Sequence, residues 1–285
     1  MAQPQVNVHH LHPRLLSGPV SLLVVGCGGT GSAFTSTLPY LHQAMRALGH
    51  PGGLRVTVAD GDVVSESNIV RQPFSIHQVG KNKAVELVTG INRWWGLNWS
   101  AHPHYLTVKD HLDFDIVVGC VDTRAARAML AKTTNASAAV RYWLDAGNGP
   151  DFGQIILGEP QVAIKPNALR LPTVAELLPE TVDESIVDTT PSCSAFEALT
   201  RQAPGTNHVI AQHMFFLLGQ LFRLGQLDHH GLFLNLASGI VQPIPVDPKQ
   251  WELMMTSVPA PKRRGKMNRP STTRPRATRR RAAHR

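Results

Sequence analysis

Short apolar runs alternate with stretches of helical spacing through the first half of the chain. Residues 20–26, VSLLVVG, are β-branched and leucine-rich and end in glycine, the pattern of a strand buried on both faces. RVTVAD (55–60), DIVVGC (115–120), YWLDAGN (142–148) and FGQIILG (152–158) read as further strands. Helical spacing fills 30–48, 82–95 and 123–132. Strands alternating with helices imply right-handed crossovers, hence a doubly wound, mostly parallel sheet with helices on both faces, an α/β fold.

The second half has a different pattern. Residues 166–192 are rich in Pro, Glu, Thr and Asp, and read as a long crossover loop with one helical turn near 174–178. Such a loop in a compact domain is more often functional than inert. From 207 to 224, Val209, Ile210, Met214, Leu217, Leu218 and Leu221 predict an amphipathic helix with Asn207 near its cap. Residues 232–239 and 240–246 predict a closing antiparallel hairpin. The expected division is an N-terminal extension over 1–19, one domain over 20–258 and a tail over 259–285.

Charge changes the picture only once it is located. The formal net charge is +8, but eleven of the 28 basic residues lie between Lys262 and Arg285, a stretch without an acid. The rest of the chain carries 17 basic against 20 acidic residues, so it is mildly acidic and the tail holds the excess. The tail lacks apolar periodicity and is expected to be disordered. Two readings stand: weak nucleic-acid contact through counterion release, or a solubilising extension. No recognition-helix pattern supports base readout.

Cys27, Cys120 and Cys193 are far apart and form no C-x-x-C pair. A disulfide framework and a cysteine-rich zinc site are therefore excluded from the expectation, no zinc is expected, and a reducing cytoplasm fits. The first twenty residues lack the apolar run of a signal peptide, and no run is long enough to span a bilayer. The histidine groups at 9, 10 and 12, at 102 and 104, and at 229 and 230 show no ligand set of defined geometry. Trp94, Trp95 and Trp99 are expected to pack against the sheet, with a surface docking site as the alternative.

The chemistry begins at Gly26-Cys27-Gly28-Gly29-Thr30-Gly31, between a strand and a helix. Glycines let backbone approach phosphate, and free N–H groups at a helix start favour negative charge. The plain alternative is a tight strand-to-helix turn. Asp60 ends the second strand, where a carboxylate can accept both ribose hydroxyls, as in NAD enzymes too. The sequence then runs Asp60-Gly-Asp62-Val-Val-Ser-Glu-Ser-Asn68-Ile-Val-Arg71-Gln72, followed by GKNKAVEL with Lys83 and by Cys120-Val121-Asp122-Thr123-Arg124-Ala125-Ala126-Arg127.

These segments resemble, in order and spacing, the D-x-D-x-V-x-x-S-N-x-x-R-Q, G-x-x-K-A and C-x-D-x-x-x-x-R signatures of the ThiF, MoeB, HesA and ubiquitin-activating family. The resemblance spans about residues 20–245 and implies a Rossmann-like adenylation domain with a C-terminal antiparallel hairpin extension. It implies ATP and Mg²⁺ as cofactors, with Gly26, Gly28, Gly29, Gly31, Asp60, Asp62, Asn68, Arg71, Gln72, Lys83 and Asp122 as the nucleotide-binding set. Asp60 would take the ribose, Asn68 would lie near the phosphates, and Arg71 and Lys83 would meet the phosphates as catalytic cations. Asp122, at the carboxyl end of a strand, would anchor Mg²⁺. Independently, a carboxylate attacking the α-phosphate of ATP needs cations aimed at the polyanion, and Arg and Lys are suited to that.

Cys193, just before a helical segment, is either a nucleophile that accepts the activated acyl group or an incidental cysteine. Cys27 and Cys120 read as small packing residues. The chain lacks the paired C-x-x-C zinc motifs of many relatives. Bacterial relatives supply an N-terminal arginine across a homodimer, for which Arg14 is the candidate here. VVGCGGTGS, SNIVRQPFS and VGKNKAVELVTGINRWWGLNW are most similar to the ThiF-family subgroup of the PRTRC cassette of plasmids. That implies small ubiquitin-like or other cassette-encoded proteins as partners. The expected function is ATP-dependent adenylation of a small protein's C-terminal carboxylate. The alternatives are a nucleotide-binding scaffold of a PRTRC complex without turnover, and an NAD-dependent oxidoreductase.

Overall fold

The computed structural model describes residues 7–160, 169–186 and 203–257. In chain order the elements are β1 (His9–His10), a 3-10 turn over Pro13–Leu16, β2 (Val20–Val25), α1 (Gly29–Ala47), β3 (Leu54–Ala59) and α2 (Glu66–Ile69). They continue with α3 (Lys83–Trp95), β4 (Ser100–His102), β5 (Ile116–Gly119), α4 (Arg124–Ala136), β6 (Tyr142–Asn148) and β7 (Phe152–Gly158). After α5 (Val174–Leu177) come α6 (Thr206–Leu224), β8 (Gln226–Leu227), β9 (His229–Asn235), β10 (Ile240–Pro245) and α7 (Pro248–Ser257).

Eight strands form one sheet in the order β10-β9-β7-β6-β5-β2-β3-β4. The five from β6 to β4 are parallel, and β7, β9 and β10 continue the sheet antiparallel. The chain moves outward from β2 through β3 to β4, then returns beside β2 as β5 and moves outward the other way. Right-handed crossovers therefore set α1 and α4 on opposite faces. The reversal opens a crevice between the carboxyl ends of β2 and β5, where doubly wound sheets bind ligands. Leu22, Val24, Ile116, Val117 and Val118 are fully buried because their strands are central and covered on both sides.

The expected Rossmann-like sheet with its antiparallel extension is present, and the extension is larger than the closing hairpin. β7 already turns back, because three residues between Asn148 and Phe152 cannot make the crossover that a parallel neighbour needs. The first hairpin strand starts at His229 rather than 232. The expected turn near 174–178 is α5, while the two ends of the 166–192 loop lie outside the described residues, as does the tail.

Asn207 lies near the cap of α6, as expected: Gly205, with φ 89°, is the N-cap, and Asn207 is buried in the first turn. One local expectation is corrected. Trp94 does not pack against the sheet. The buried stripe of Ala84, Val88 and Ile91 continues to Trp95, which meets Tyr40 edge-on at 4.8 Å, and passes Trp94 by, leaving it 85% exposed. Trp99 is buried as expected.

Candidate functional site

The glycine loop folds flat onto the end of β5. Gly26 has φ 96°, and a methyl group there would lie 2.5 Å from Cys120 O. A methyl at Gly31 would lie 1.9 Å from Gly26 O, so the first turn of α1 can close only over a hydrogen. Gly28, the N-cap of α1, has nothing within 4 Å of where a side chain would stand. No acidic residue occupies the first turn and Gly28 itself has no side chain to cap it, while the Asn207 side chain lies against Gly29, its Nδ2 2.1 Å from where a methyl group there would stand. A helix start without an acid, open at Gly28, favours an anion.

Beside the loop, Asp60 fastens two segments. Its carboxylate accepts from Cys27 N at 2.5 Å and from Asp62 N at 2.7 Å. Burial pushes the Asp60 carboxyl above the ordinary range, opposed by those hydrogen bonds and by Lys83. Lys83 is itself buried, and its Nζ donates to Asp62 Oδ2 at 2.9 Å. Asn82 sets this arrangement. Its Oδ1 caps α3 by accepting from Val85 N at 3.0 Å, while its Nδ2 donates to the Asp60 and Asp62 carbonyls at 2.8 and 3.1 Å. One asparagine therefore ties the helix that carries Lys83 to the strand end that carries both aspartates.

Tyr105 closes the cluster, and sequence reasoning missed it. Its hydroxyl donates to Asp62 Oδ1, and its ring lies over Gly61, where a methyl group would be 2.6 Å from Cδ2. Burial opposes it, yet the hydrogen bonds from Tyr105 and Lys83 hold the Asp62 carboxyl below its ordinary value. The bond to Asp62 pushes the Tyr105 phenol up to about 12, with some burial and the charges of Asp62, Asp60 and Asp122 adding to it. Tyr105 is thus the side chain that senses all three carboxylates. It arrives from the connection after edge strand β4, where no periodicity announces it.

Asn68, Arg71 and Gln72 lie on the connection between β3 and α3. Asn68 is buried and accepts from Ser65 N at 2.9 Å, while its carbonyl receives Arg71 N and Gln72 N. Their side chains make no hydrogen bond to the Asp60–Lys83 cluster among the described residues. Arg71 Nε and Gln72 Oε1 are buried there without a hydrogen-bond partner, a state that leaves each short of an interaction.

Asp122 is exposed in the turn from β5 to α4, at the crevice. Thr123 caps α4, its Oγ1 accepting from Ala126 N at 3.2 Å. Beneath the turn, Arg127 Nε donates to Asp145 Oδ2 at 2.9 Å and Oδ1 at 3.1 Å, and its guanidinium also reaches Val121 O at 2.9 Å. An acid inside the apolar run YWLDAGN was the available signal for that pair. Among the described residues no group of three or more His, Cys, Asp or Glu is arranged to hold a metal ion, and no helix is long and apolar enough to cross a membrane. A single exposed carboxylate nonetheless fits Mg²⁺ where waters and substrate phosphates supply most of its ligands.

Cys193 lies outside the described residues. Cys27 and Cys120 are free, and burial drives both thiols up, away from the reactive thiolate. Arg14 sits at the opposite end of the sheet, its Nε 4.0 Å from Asp115.

Residues 17–147 match the ThiF family. The matched stretch contains the glycine loop, Asp60, Asp62, Asn68, Arg71, Lys83, Tyr105 and Asp122. An adenylyltransferase and sulfurtransferase, uba4, from Aspergillus clavatus is 30% identical over 147 residues, covering 47% of this chain and 26% of that protein. The chain thus spans about a quarter of that relative's length. Among solved structures, PaaA superposes with a TM-score of 0.53 at 14% identity, and Escherichia coli MccB with ATP at 0.52 and 17%. Each match covers 82% of this chain and 65% of the other, a likeness of fold.

Proposed function

We propose that this chain uses MgATP to adenylate a carboxylate, that of the C-terminus of a small ubiquitin-like or other cassette-encoded protein. The observation that carries the reading is the switch-point crevice. There the open Gly28 face meets the Asp60–Asp62–Lys83 cluster, and the connection from β3 to α3 holds an arginine with its Nε buried and unpartnered. A cation short of a hydrogen bond is one that a phosphate oxygen can satisfy. The kinship with an adenylyltransferase and the shared fold with an ATP-bound MccB support the same reading.

In this reading the N–H groups of the glycine loop and the start of α1 receive phosphate oxygens, and Asp60 has lone pairs left for ribose hydroxyls. Arg71 clamps the phosphates, Asn68 and Gln72 line their approach, and Lys83 exchanges Asp62 for a phosphate oxygen. Asp122 would hold Mg²⁺, which when bound supplies charge neutralisation for the departing pyrophosphate. The carboxylate oxygen attacks the α-phosphorus, the bond to the β-phosphate oxygen breaks, and an acyl-adenylate and pyrophosphate result. Transfer to the Cys193 thiolate, with release of AMP, would complete a thioester.

The test is a thermal-shift titration with MgATP, ATP plus EDTA, AMP and NADH on the full chain and on Asp122→Ala. A ligand that binds the native state raises Tm by mass action. A metal-dependent ATP shift, lost in the variant, is expected. A shift with NADH alone would replace adenylation by oxidoreduction. MgATP binding without pyrophosphate exchange in the presence of the cassette proteins would leave a nucleotide-binding scaffold.

A further inference from the structure

We propose that Arg127 and Asp145 are positioning residues that set the Asp122 turn, so that the Mg²⁺-dependent part of ATP binding depends on a buried ion pair. The proposal rests on the reading of Asp122 given above. Asp122 is exposed on a turn of four residues between Gly119 and Arg124, and nothing about an exposed aspartate fixes its own direction. Two contacts bracket it. On its carboxyl side the Thr123 hydroxyl caps α4. On its amino side, Arg127 donates to the carbonyl of Val121 at 2.9 Å. The guanidinium is in turn held by Asp145, a carboxylate with no solvent exposure on the neighbouring strand β6.

The pair is built into the sheet. A methyl group at Gly119 would lie 2.7 Å from Asp145 Oδ1, so the last residue of β5 is a glycine where the carboxylate needs room. Arg127 also approaches Ala146 O at 3.4 Å, which spans its fork from the turn to the strand. Buried ion pairs are seldom a gain in stability over apolar side chains of the same size, since desolvation offsets much of the attraction. Their use is geometric. A planar guanidinium joined to a carboxylate on one side and a turn carbonyl on the other fixes a distance that an apolar contact would leave loose. Residues behind a ligand commonly change metal affinity tenfold or more when altered.

Calorimetric titration of the full chain with ATP plus Mg²⁺, ATP plus EDTA, and AMP, alongside melting curves, tests this on Arg127→Lys, Asp145→Asn and Asp122→Ala. Either substitution in the pair is expected to weaken MgATP about tenfold while affinity for ATP in EDTA and for AMP stays at the wild-type value. Combined with Asp122→Ala, Arg127→Lys is expected to add no further loss, because the two act on one contact. Wild-type MgATP affinity in both pair variants would overturn the proposal. So would equal losses with and without Mg²⁺, the mark of a pair that merely holds the fold, or an added loss in the Asp122→Ala background. If Arg127→Lys fails to fold, Asp145→Asn keeps side-chain size and decides alone. Failure of the wild type to bind ATP at all would instead remove the adenylation reading, and this proposal with it.

Discussion

The buried His230 should contribute a loss of stability in acid, and the amount can be worked out. His230 on β9 has no solvent exposure; its Nδ1 donates to Leu157 O at 2.8 Å, and its ring meets Trp251 at 5.1 Å. That bond assigns the proton to Nδ1 and leaves Nε2 buried without a partner. Burial lowers the His230 pKa to about 4, against a smaller pull upward from the Leu157 carbonyl, and the charges of His9 and His229 lower it further. Well above pH 6.5 the ring is neutral in both states and contributes no pH dependence. As pH falls below 6.5 the unfolded chain takes up a proton that the native state refuses until about pH 4, so stability is lost across that window. Linkage gives a loss of about 2 kcal/mol at pH 5 and about 3 kcal/mol at pH 4 relative to pH 7. His9, lowered to about 4 chiefly by burial, adds in the same direction. Asp60, Asp145 and Glu159, raised by burial, act in the opposite direction. A difference measurement is therefore required: urea unfolding of wild type and His230→Phe at pH 7 and pH 5. The variant lacks the titrating ring, so the gap between the two proteins should move by about 2 kcal/mol in its favour on acidification. A gap that stays constant would show that His230 accepts a proton in the native state, and would refute the neutral buried ring.

Two further outcomes follow from the crevice. Gly31→Ala places a methyl against the Gly26 carbonyl, and should lower stability by about 3 kcal/mol or more, read as a fall in Tm; an unchanged Tm would show that the loop is not closed over this glycine. Lys83→Ala should weaken ATP more than AMP, because its proposed partner is a polyphosphate oxygen, and equal losses in a binding titration would remove that role.

How much of this was legible depended on how local each feature is. The glycine turn, Asp60, Asp62 and Lys83 could be read in order because one strand end, one connection and one helix start bring them together. Asn82 before Lys83 and Gly96 after Trp95 mark the limits of α3 with residues whose chemistry is specific to helix ends. α7 carried a comparable signal: Asp247 precedes Pro248, and its Oδ1 accepts from Lys249 N at 3.0 Å, yet a ten-residue helix with little apolar stripe was not anticipated. The two-residue pairing of β1 with β8 has no sequence pattern at all, since its register is set by where the rest of the fold leaves His9 and Leu227.

The features that sequence could not place depend on strand order. Arg127 and Asp145 are 18 residues apart and meet because β6 lies beside β5, a fact that follows from the reversal of the sheet and not from either residue. Tyr105 reaches Asp62 across 43 residues because the chain leaves edge strand β4 at the same end at which β3 leaves Asp60. In a parallel sheet every strand delivers its following residues to one edge. Long-range members of a site are therefore found by asking which polar residues follow, or lie beside, the carboxyl ends of strands. Asp145, in the middle of β6, pairs with Gly119 at the carboxyl end of β5, and Tyr105 follows β4 by three residues. Both satisfy that rule, which needs the strand order before it can choose them from the chain's other polar side chains.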